Sequence, residues 1–296
     1  MCQYSYLITG ASGQLGTEWK RALENAGANF TAVDSNELDI TDRTAVSEFI
    51  RYHEPDVLIN CAAYTNVDEA EDPDSANEVV NHAGVRNLAE ACAQTGTLLV
   101  HYSTDYVFSG AIDDRQRYPN GYPEDAPLRP INAYGKSKLR GEEAVRESGA
   151  HHLIIRISWL CGSYGKNFLK TMLTLGSKRD ELTVVNDQIG SPTFTFDVVD
   201  FTQKLITLNE TGIYHLQCNE TVSWFDFARM IFCEAGMDTK VMPVDSSAYP
   251  VKAVRPVFSK MDTSKLRQKT GDADISITDG IRRVLNEINE TDHPST

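Results

Sequence analysis

The sequence predicts an α/β protein: a doubly wound parallel sheet followed by a smaller C-terminal α/β part that binds substrate. Three observations carry this expectation. Short apolar runs alternate with helix-like stretches through the first 160 residues. The first of those runs leads into a glycine-rich turn that opens a helix. After about residue 160 the alternation breaks down and the connections lengthen. Strands that are short, apolar and each followed by a helix belong to a parallel sheet covered on both faces. Right-handed crossovers then wind it both ways.

In chain order, Leu7-Ile8-Thr9 reads as the first strand and Gln14 to Ala26 as a helix. Phe30 to Val33 is the second strand, Arg43 to His53 a helix, and Val57 to Asn60 the third strand. Asp74 to Thr95 reads as one long helix, Leu98 to Tyr102 as a strand, Ala133 to Glu147 as a helix and Leu153 to Ile157 as a strand. Beyond these, Asn167 to Ser177 and Phe196 to Leu208 are helical, and Ser223 is placed to cap a helix starting at Trp224. Three prolines between Met242 and Ser259 rule out one regular element there. A last helix runs from about Thr278 to Asn289, and the tail from Thr291 to Thr296 is expected to fray. The expected division is 1–160 for a dinucleotide-binding part, with helix 196–208 returning to it, and 161–296 mainly for substrate.

The 296 residues carry a formal charge of −14, with 41% hydrophobic and 24% charged residues. That supports a real core and offers no basic face for nucleic acid. The six cysteines (2, 61, 92, 161, 218 and 233) form no C-x-x-C and no zinc spacing with histidine, so reduced thiols and a cytoplasmic setting are expected. The first residues lack the pattern of a signal peptide and no apolar run approaches the ~20 residues of a spanning helix, so no membrane partner is expected.

Thr9-Gly10-Ala11-Ser12-Gly13-Gln14-Leu15-Gly16 is G-x-x-G-x-x-G between a strand and a helix. Glycines let the backbone approach a pyrophosphate, and the helix N-terminus offers it free N–H groups. In the first βα unit this is a Rossmann-type dinucleotide cradle, with Gly10, Ser12, Gly13, Gln14, Leu15 and Gly16 as its candidate contacts. Asp34 ends the second strand, where an acid accepts adenosine ribose hydroxyls and favours NADH. Asp39-Ile40 is placed to flank the adenine.

Tyr134 and Lys138 lie four residues apart on a predicted helix and share a face. A phenol of pKa ≈ 10 is a poor acid at neutral pH, and an adjacent ammonium is expected to lower that value. Tyr134 would deliver a proton to a nascent alkoxide while Lys138 also reaches the nicotinamide ribose. Thr104, at the carboxyl end of the fourth strand, would hydrogen-bond the same substrate oxygen. Lys136 points off that face and is assigned to solvent.

Together these residues resemble the extended short-chain dehydrogenases/reductases, and within them the dTDP-4-dehydrorhamnose reductase family. The resembling stretches are Thr9–Gly16, Leu38–Asp42, Asn60–Glu71, His101–Phe108, Asn132–Glu142, Arg156–Gly162, Asn167–Leu173, Val185–Thr193 and Arg255–Leu266, spanning nearly the whole chain. The resemblance implies a soluble enzyme that uses exchangeable NADPH or NADH to reduce the C4 ketone of dTDP-4-dehydro-β-L-rhamnose. Tyr134 would supply the proton, Lys138 tune it and Thr104 orient the carbonyl. Ala62, Ala63 and Tyr64 would line the cofactor. Val67, Asp68, Tyr106 and Trp159 map onto the sugar pocket, and Asn167 and Arg255 onto the nucleotide diphosphate. Some family members are dimers holding magnesium through carboxylates. Glu18 matches one such position, but Phe194 and Phe196 stand where an acid is expected, which argues against the metal and against that dimer. Monomer and homodimer both remain open. Segment 111–125 varies in length in the family and leaves substrate access unread. Two other readings share the motif set: a nucleotide-sugar epimerase or dehydratase with tightly bound NAD, and a non-catalytic regulatory subunit of the methionine adenosyltransferase type.

Overall fold

The computed structural model describes residues 4–271 and 275–292; Cys2 and positions 293–296 of the tail lie outside them. The first half builds β1 (Ser5–Thr9), α1 (Gln14–Asn25), β2 (Asn29–Val33), α2 (Arg43–His53), β3 (Val57–Asn60), α3 (Val85–Thr95), β4 (Leu98–Thr104), the single turn α4 (Asp114–Arg117), α5 (Ala133–Glu147) and β5 (His152–Ile157). The second half adds β6 (Leu160–Cys161), α6 (Phe168–Gly176), β7 (Glu181–Val185), β8 (Ile189–Gly190), β9 (Thr193–Phe194), α7 (Thr195–Thr207) and β10 (Gly212–Leu216). It closes with β11 (Val222–Ser223), α8 (Trp224–Glu234), β12 (Lys240–Val244), α9 (Ser264–Thr270) and α10 (Ile277–Asp292).

Six strands form one parallel sheet in the order β10-β5-β4-β3-β1-β2. The chain leaves β1 toward β2 and returns to the other side of β1 at β3, so a crevice opens beyond the carboxyl ends of β1 and β3. That switch point is where open α/β sheets bind ligands. The sheet is buried on both faces. Leu7, Leu58, Leu99 and Ile154 pack toward α2 and α3, while Ile8, Ile59, Val100 and Ile155 pack toward α1 and α7. Trp19 of α1 is fully buried, and its Nε1 donates to the Tyr102 hydroxyl at 2.9 Å.

Local chemistry explains several helix starts. Asp42 caps α2 by accepting from the amides of Thr44 and Ala45, and Asn132 caps α5 through Gly135 N. Ser223 forms a reciprocal capping box with Asp226 at the start of α8.

One expected element differs. The helix read from Asp74 begins only at residue 77, and Val79–Gly84 is a π-helical turn before α3. The cause is close packing on both sides. Asn81 uses its amide on Tyr64 O, Asn77 and Ser137. Its carbonyl oxygen lies where a Cβ on Gly141 of α5 would be only 2.4 Å away. A widened turn brings that carbonyl against α5, a use typical of π-bulges near functional sites.

Candidate active site

The cradle comes first in the chain. Gly10 has φ +67, and a Cβ there would lie 2.6 Å from Ala62 N; one on Gly16 would lie 2.2 Å from the Gly10 carbonyl oxygen. Only glycine fits either position. Gly13 precedes α1 without any side-chain cap, so the first amides of that helix are free to face an anion. Asp34 Oδ1 accepts from both the amide and the hydroxyl of Ser12, each at 3.0 Å. Asp39 accepts from Thr41 N and Oγ1, while Ile40 is buried against Gly84. Behind the cradle, Thr9 Oγ1 donates to Asn60 Oδ1, which also accepts from Ala62 N. Tyr64 is pinned at its amide and carbonyl by Asn81.

The candidate reacting groups face the same crevice. Gly13, Gln14, Leu15, Ala62, Ala63 and Val67 share one cavity of about 670 Å³ with Thr104, Tyr106, Tyr134, Lys138, Trp159 and Trp224. Helix α5 is held in place by its small residues: Gly135 packs on the Tyr106 carbonyl and Gly141 on that of Asn81. Ser137 donates to Asn77 Oδ1 at 2.7 Å. One turn past Lys138, Glu142 forms a fully buried two-pronged pair with Arg156 of β5, at 2.9 and 2.7 Å. Lys136 is exposed.

The electrostatics correct one expectation. Burial, not the neighbouring lysine, dominates Tyr134 and pushes its phenol up to about 12, with the hydrogen bond to Thr104 opposing that shift and Asp105 adding to it. Lys138 is itself buried, which pushes it down to about 8. Its Nζ is spent on the Tyr102 carbonyl at 2.6 Å, so it does not drive the phenol downward in this arrangement.

A second cavity, about 780 Å³, adjoins the first and shares Tyr106 and Trp224 with it. Arg255 lines it, with Gln188, Ser246, Tyr249 and Lys252. Arg255 also grips Asp68 with both arms, at 3.2 and 2.7 Å, and holds that carboxyl below its ordinary value. Trp159 stands at φ +47 and stacks on Trp224 with centroids 3.6 Å apart. Sequence reasoning gave Trp224 only a place in a helix; its partner is 65 residues away, and no local pattern marks it. Asn167 lines neither large cavity. Its Oδ1 caps α6 at Lys170 N, and its Nδ2 donates to Gln14 Oε1 and the Gly162 carbonyl.

The residues do not fit a magnesium site. Both Glu18 oxygens are engaged, by Arg21 at 2.6 Å and by Thr195 Oγ1 at 2.8 Å. Arg21 also bridges to Glu287, so a guanidinium already neutralises these carboxylates. Phe194 and Phe196 stack on each other. Among the described residues no group of three or more His, Cys, Asp or Glu side chains could hold a metal, and no helix is long and apolar enough to cross a membrane.

A glycine cradle at the switch point and a Thr, Tyr, Lys set in the same crevice define a Rossmann-fold oxidoreductase of the short-chain dehydrogenase/reductase class. Residues 4–290 match the family model described as RmlD substrate binding domain, and the chain belongs to that family. It is 38% identical over 297 residues to a dTDP-4-dehydrorhamnose reductase of Escherichia coli (strain K12), covering 95% of this chain and 97% of that one. It is 37% identical to a dTDP-4-keto-6-deoxy-D-glucose reductase of Streptomyces niveus, covering 89% and 90%. The crystal structure of dTDP-4-dehydrorhamnose reductase from Bacillus anthracis str. Ames in complex with NADP superposes with a TM-score of 0.91 at 40% identity, covering 96% of this chain and 99% of that one.

Proposed function

We propose that this chain reduces the C4 ketone of dTDP-4-dehydro-β-L-rhamnose to dTDP-L-rhamnose, using NADPH or NADH that exchanges at each turnover. The observation that carries the reading is the shared cavity, in which the uncapped cradle and the Thr104, Tyr134, Lys138 set open onto one space. Relatives named for this reaction match nearly the whole chain, and one of them was crystallised with NADP. The adjoining second cavity, with Arg255 on its wall, suits the nucleotide diphosphate.

The cradle residues Gly10, Ser12, Gly13, Gln14, Leu15 and Gly16 would hold the pyrophosphate. Asp34, Asp39 and Ile40 would flank the adenosine, and Ala62, Ala63 and Tyr64 the nicotinamide half. When bound, the reduced nicotinamide supplies two electrons and a hydrogen to the carbonyl carbon. Tyr134 is protonated at neutral pH, as any phenol is, and burial strengthens its hold on that proton. It gives that proton up only to a stronger base, such as the alkoxide forming on the sugar. Thr104 hydrogen-bonds the same oxygen, and Lys138 would reach the nicotinamide ribose. Val67, Asp68, Tyr106 and Trp159 would shape the sugar site, and Asn167 would act on it through Gln14. Residues 1–160, with α7 and β10 returning to them, form the dinucleotide-binding part, and 161–296 mainly the substrate part. The same reading makes the protein a soluble cytoplasmic monomer or homodimer with no nucleic-acid partner.

The test follows NADPH absorbance with dTDP-4-dehydro-L-rhamnose, with dTDP-4-keto-6-deoxy-D-glucose as the competing ketone. Cofactor oxidation matched by dTDP-L-rhamnose is expected. Turnover of UDP-glucose without added cofactor would instead make it an epimerase. Catalytic inactivity toward all three would favour the non-catalytic branch.

A further inference from the structure

Thr104 has one hydrogen to give and two lone pairs to share. Its Oγ1 accepts from the Tyr106 amide at 3.3 Å and donates to Asp105 Oδ1 at 3.0 Å. It also faces the Tyr134 phenol. With Asp105 ionised, the carboxylate holds Thr104's only hydrogen. None is left for a substrate ketone, which only accepts, or for Tyr134 once it has released its proton. The alternative hydrogen-bond order needs one change: a proton on Asp105 Oδ1, between the two oxygens.

The surroundings favour that change. Asp105 is 3% exposed, and its Oδ2 is buried with no hydrogen-bond partner among the described residues. Among the described residues no Lys or Arg bonds the carboxyl. An unpaired carbonyl oxygen is much cheaper to bury than an unpaired carboxylate oxygen. The groups facing it are few. Thr104, the Ser259 hydroxyl and the amides of its own turn favour the anion, but burial outweighs them and pushes the carboxyl up to about 7. Tyr106 on the same turn and Tyr134 on α5 are its ionisable neighbours. Arg255 and Asp68 act on Tyr106, and Lys138 is bonded to the Tyr102 carbonyl. On β4, burial and Lys138 keep His101 neutral.

We propose that Asp105 is a positioning residue: as the neutral acid it donates to Thr104 Oγ1 and so aims the single Thr104 hydrogen at the oxygen being reduced. The ketone then receives two donors, Thr104 and Tyr134, in the manner of an oxyanion hole. Asp105 neither gains nor loses a proton over the cycle. The inference rests on the reductase reading and deepens it.

The test measures kcat and kcat/KM from about pH 5.5 to about 9.5 for the intact protein and for Asp105→Asn, Thr104→Val, the double variant and Tyr134→Phe. An asparagine donates to Thr104 at every pH. The wild type should begin to lose activity near pH 7; in Asp105→Asn that onset should move up toward about 8, where Lys138 titrates, so the variant outpaces the wild type at the alkaline end. With Thr104→Val already present, adding Asp105→Asn should leave the profile unchanged. Infrared difference spectra without cofactor, wild type minus Asp105→Asn, should show a protonated carboxyl band that fades as pH rises; Asp197, which burial also raises to about 7, contributes equally to both and cancels. Three results would each overturn the proposal: the alkaline onset staying at its wild-type pH in Asp105→Asn, that variant falling as low as Tyr134→Phe, or no such difference band. An active Tyr134→Phe variant would sink the reductase reading itself and leave the infrared assignment standing.

Discussion

Replacing Gly16 by alanine tests whether the turn after β1 is a cradle or merely a tight corner. The added Cβ would sit 2.2 Å from the Gly10 carbonyl oxygen, 2.8 Å from Ala11 Cα and 3.0 Å from Ala11 C. All three are backbone atoms, so no side chain can swing away. Restoring ordinary contact moves the Gly10–Ala11 segment by about 1 Å. Overpacking of this kind costs about 1–3 kcal/mol of stability, or a fall in Tm of several degrees in a chain of this size. The cofactor suffers separately, because amides aimed at a phosphate lose their alignment. Each hydrogen bond to a charged group contributes about 1.5–3 kcal/mol, so NADPH should bind at least tenfold more weakly. Fluorescence titration with NADPH reads this directly. Gly96→Ala supplies the control. It strains a left-handed position (φ +76) at the end of α3 with open space around it, so it should lower Tm and leave NADPH affinity alone. A folded Gly16→Ala protein that binds NADPH like the wild type would refute the cradle.

Other perturbations follow from the same geometry. Glu142→Ala leaves the Arg156 guanidinium buried without its partner, which should destabilise the protein by about 3–5 kcal/mol in urea unfolding. Trp224→Ala removes the stack on Trp159 and opens the boundary between the two cavities. KM for the sugar nucleotide should rise several-fold while NADPH affinity, read by fluorescence, stays put. Asp34→Ala should weaken NADH more than NADPH, and equal losses in paired titrations would remove the adenosine role of that acid. Asp105 also shapes stability. Its carboxyl is raised in the fold, so between its unfolded value near 3.9 and about 7 the native state binds more protons than the unfolded chain. Stability from this group is present at the acid end of that window and declines as pH rises. Urea midpoints of Asp105→Asn should show less decline across it than those of the wild type.

Elements whose causes are local were legible in the sequence. Arg43–His53 and Ala133–Glu147 begin where they were read, because Asp42 and Asn132 cap them from the preceding position. The glycine spacing was legible too, since turn and helix start lie within eight residues. What escaped depends on partners far along the chain. The π-helical turn at Val79–Gly84 answers to Tyr64 and Gly141, and its residues look helical in isolation. Arg255 was placed on the nucleotide diphosphate, but its pairing with Asp68, 187 residues away, left no local mark. Tyr134 and Lys138 were read from their spacing, but burial, which spacing does not encode, sets the balance between them. Asp105 was given no site role, because its meaning lies in an absence of partners around Oδ2 among the described residues.

The account depends most on the Tyr134 phenol giving its proton to the sugar oxygen while the cofactor sits in the cradle. The decisive measurement is rapid-mixing oxidation of bound NADPH by dTDP-4-dehydro-L-rhamnose in the wild type and in Tyr134→Phe, with NADPH affinity measured on the same samples. The account predicts nearly equal affinities and a chemical step slowed by about 10²–10⁴-fold in the variant. A variant that oxidises NADPH at the wild-type rate would contradict it.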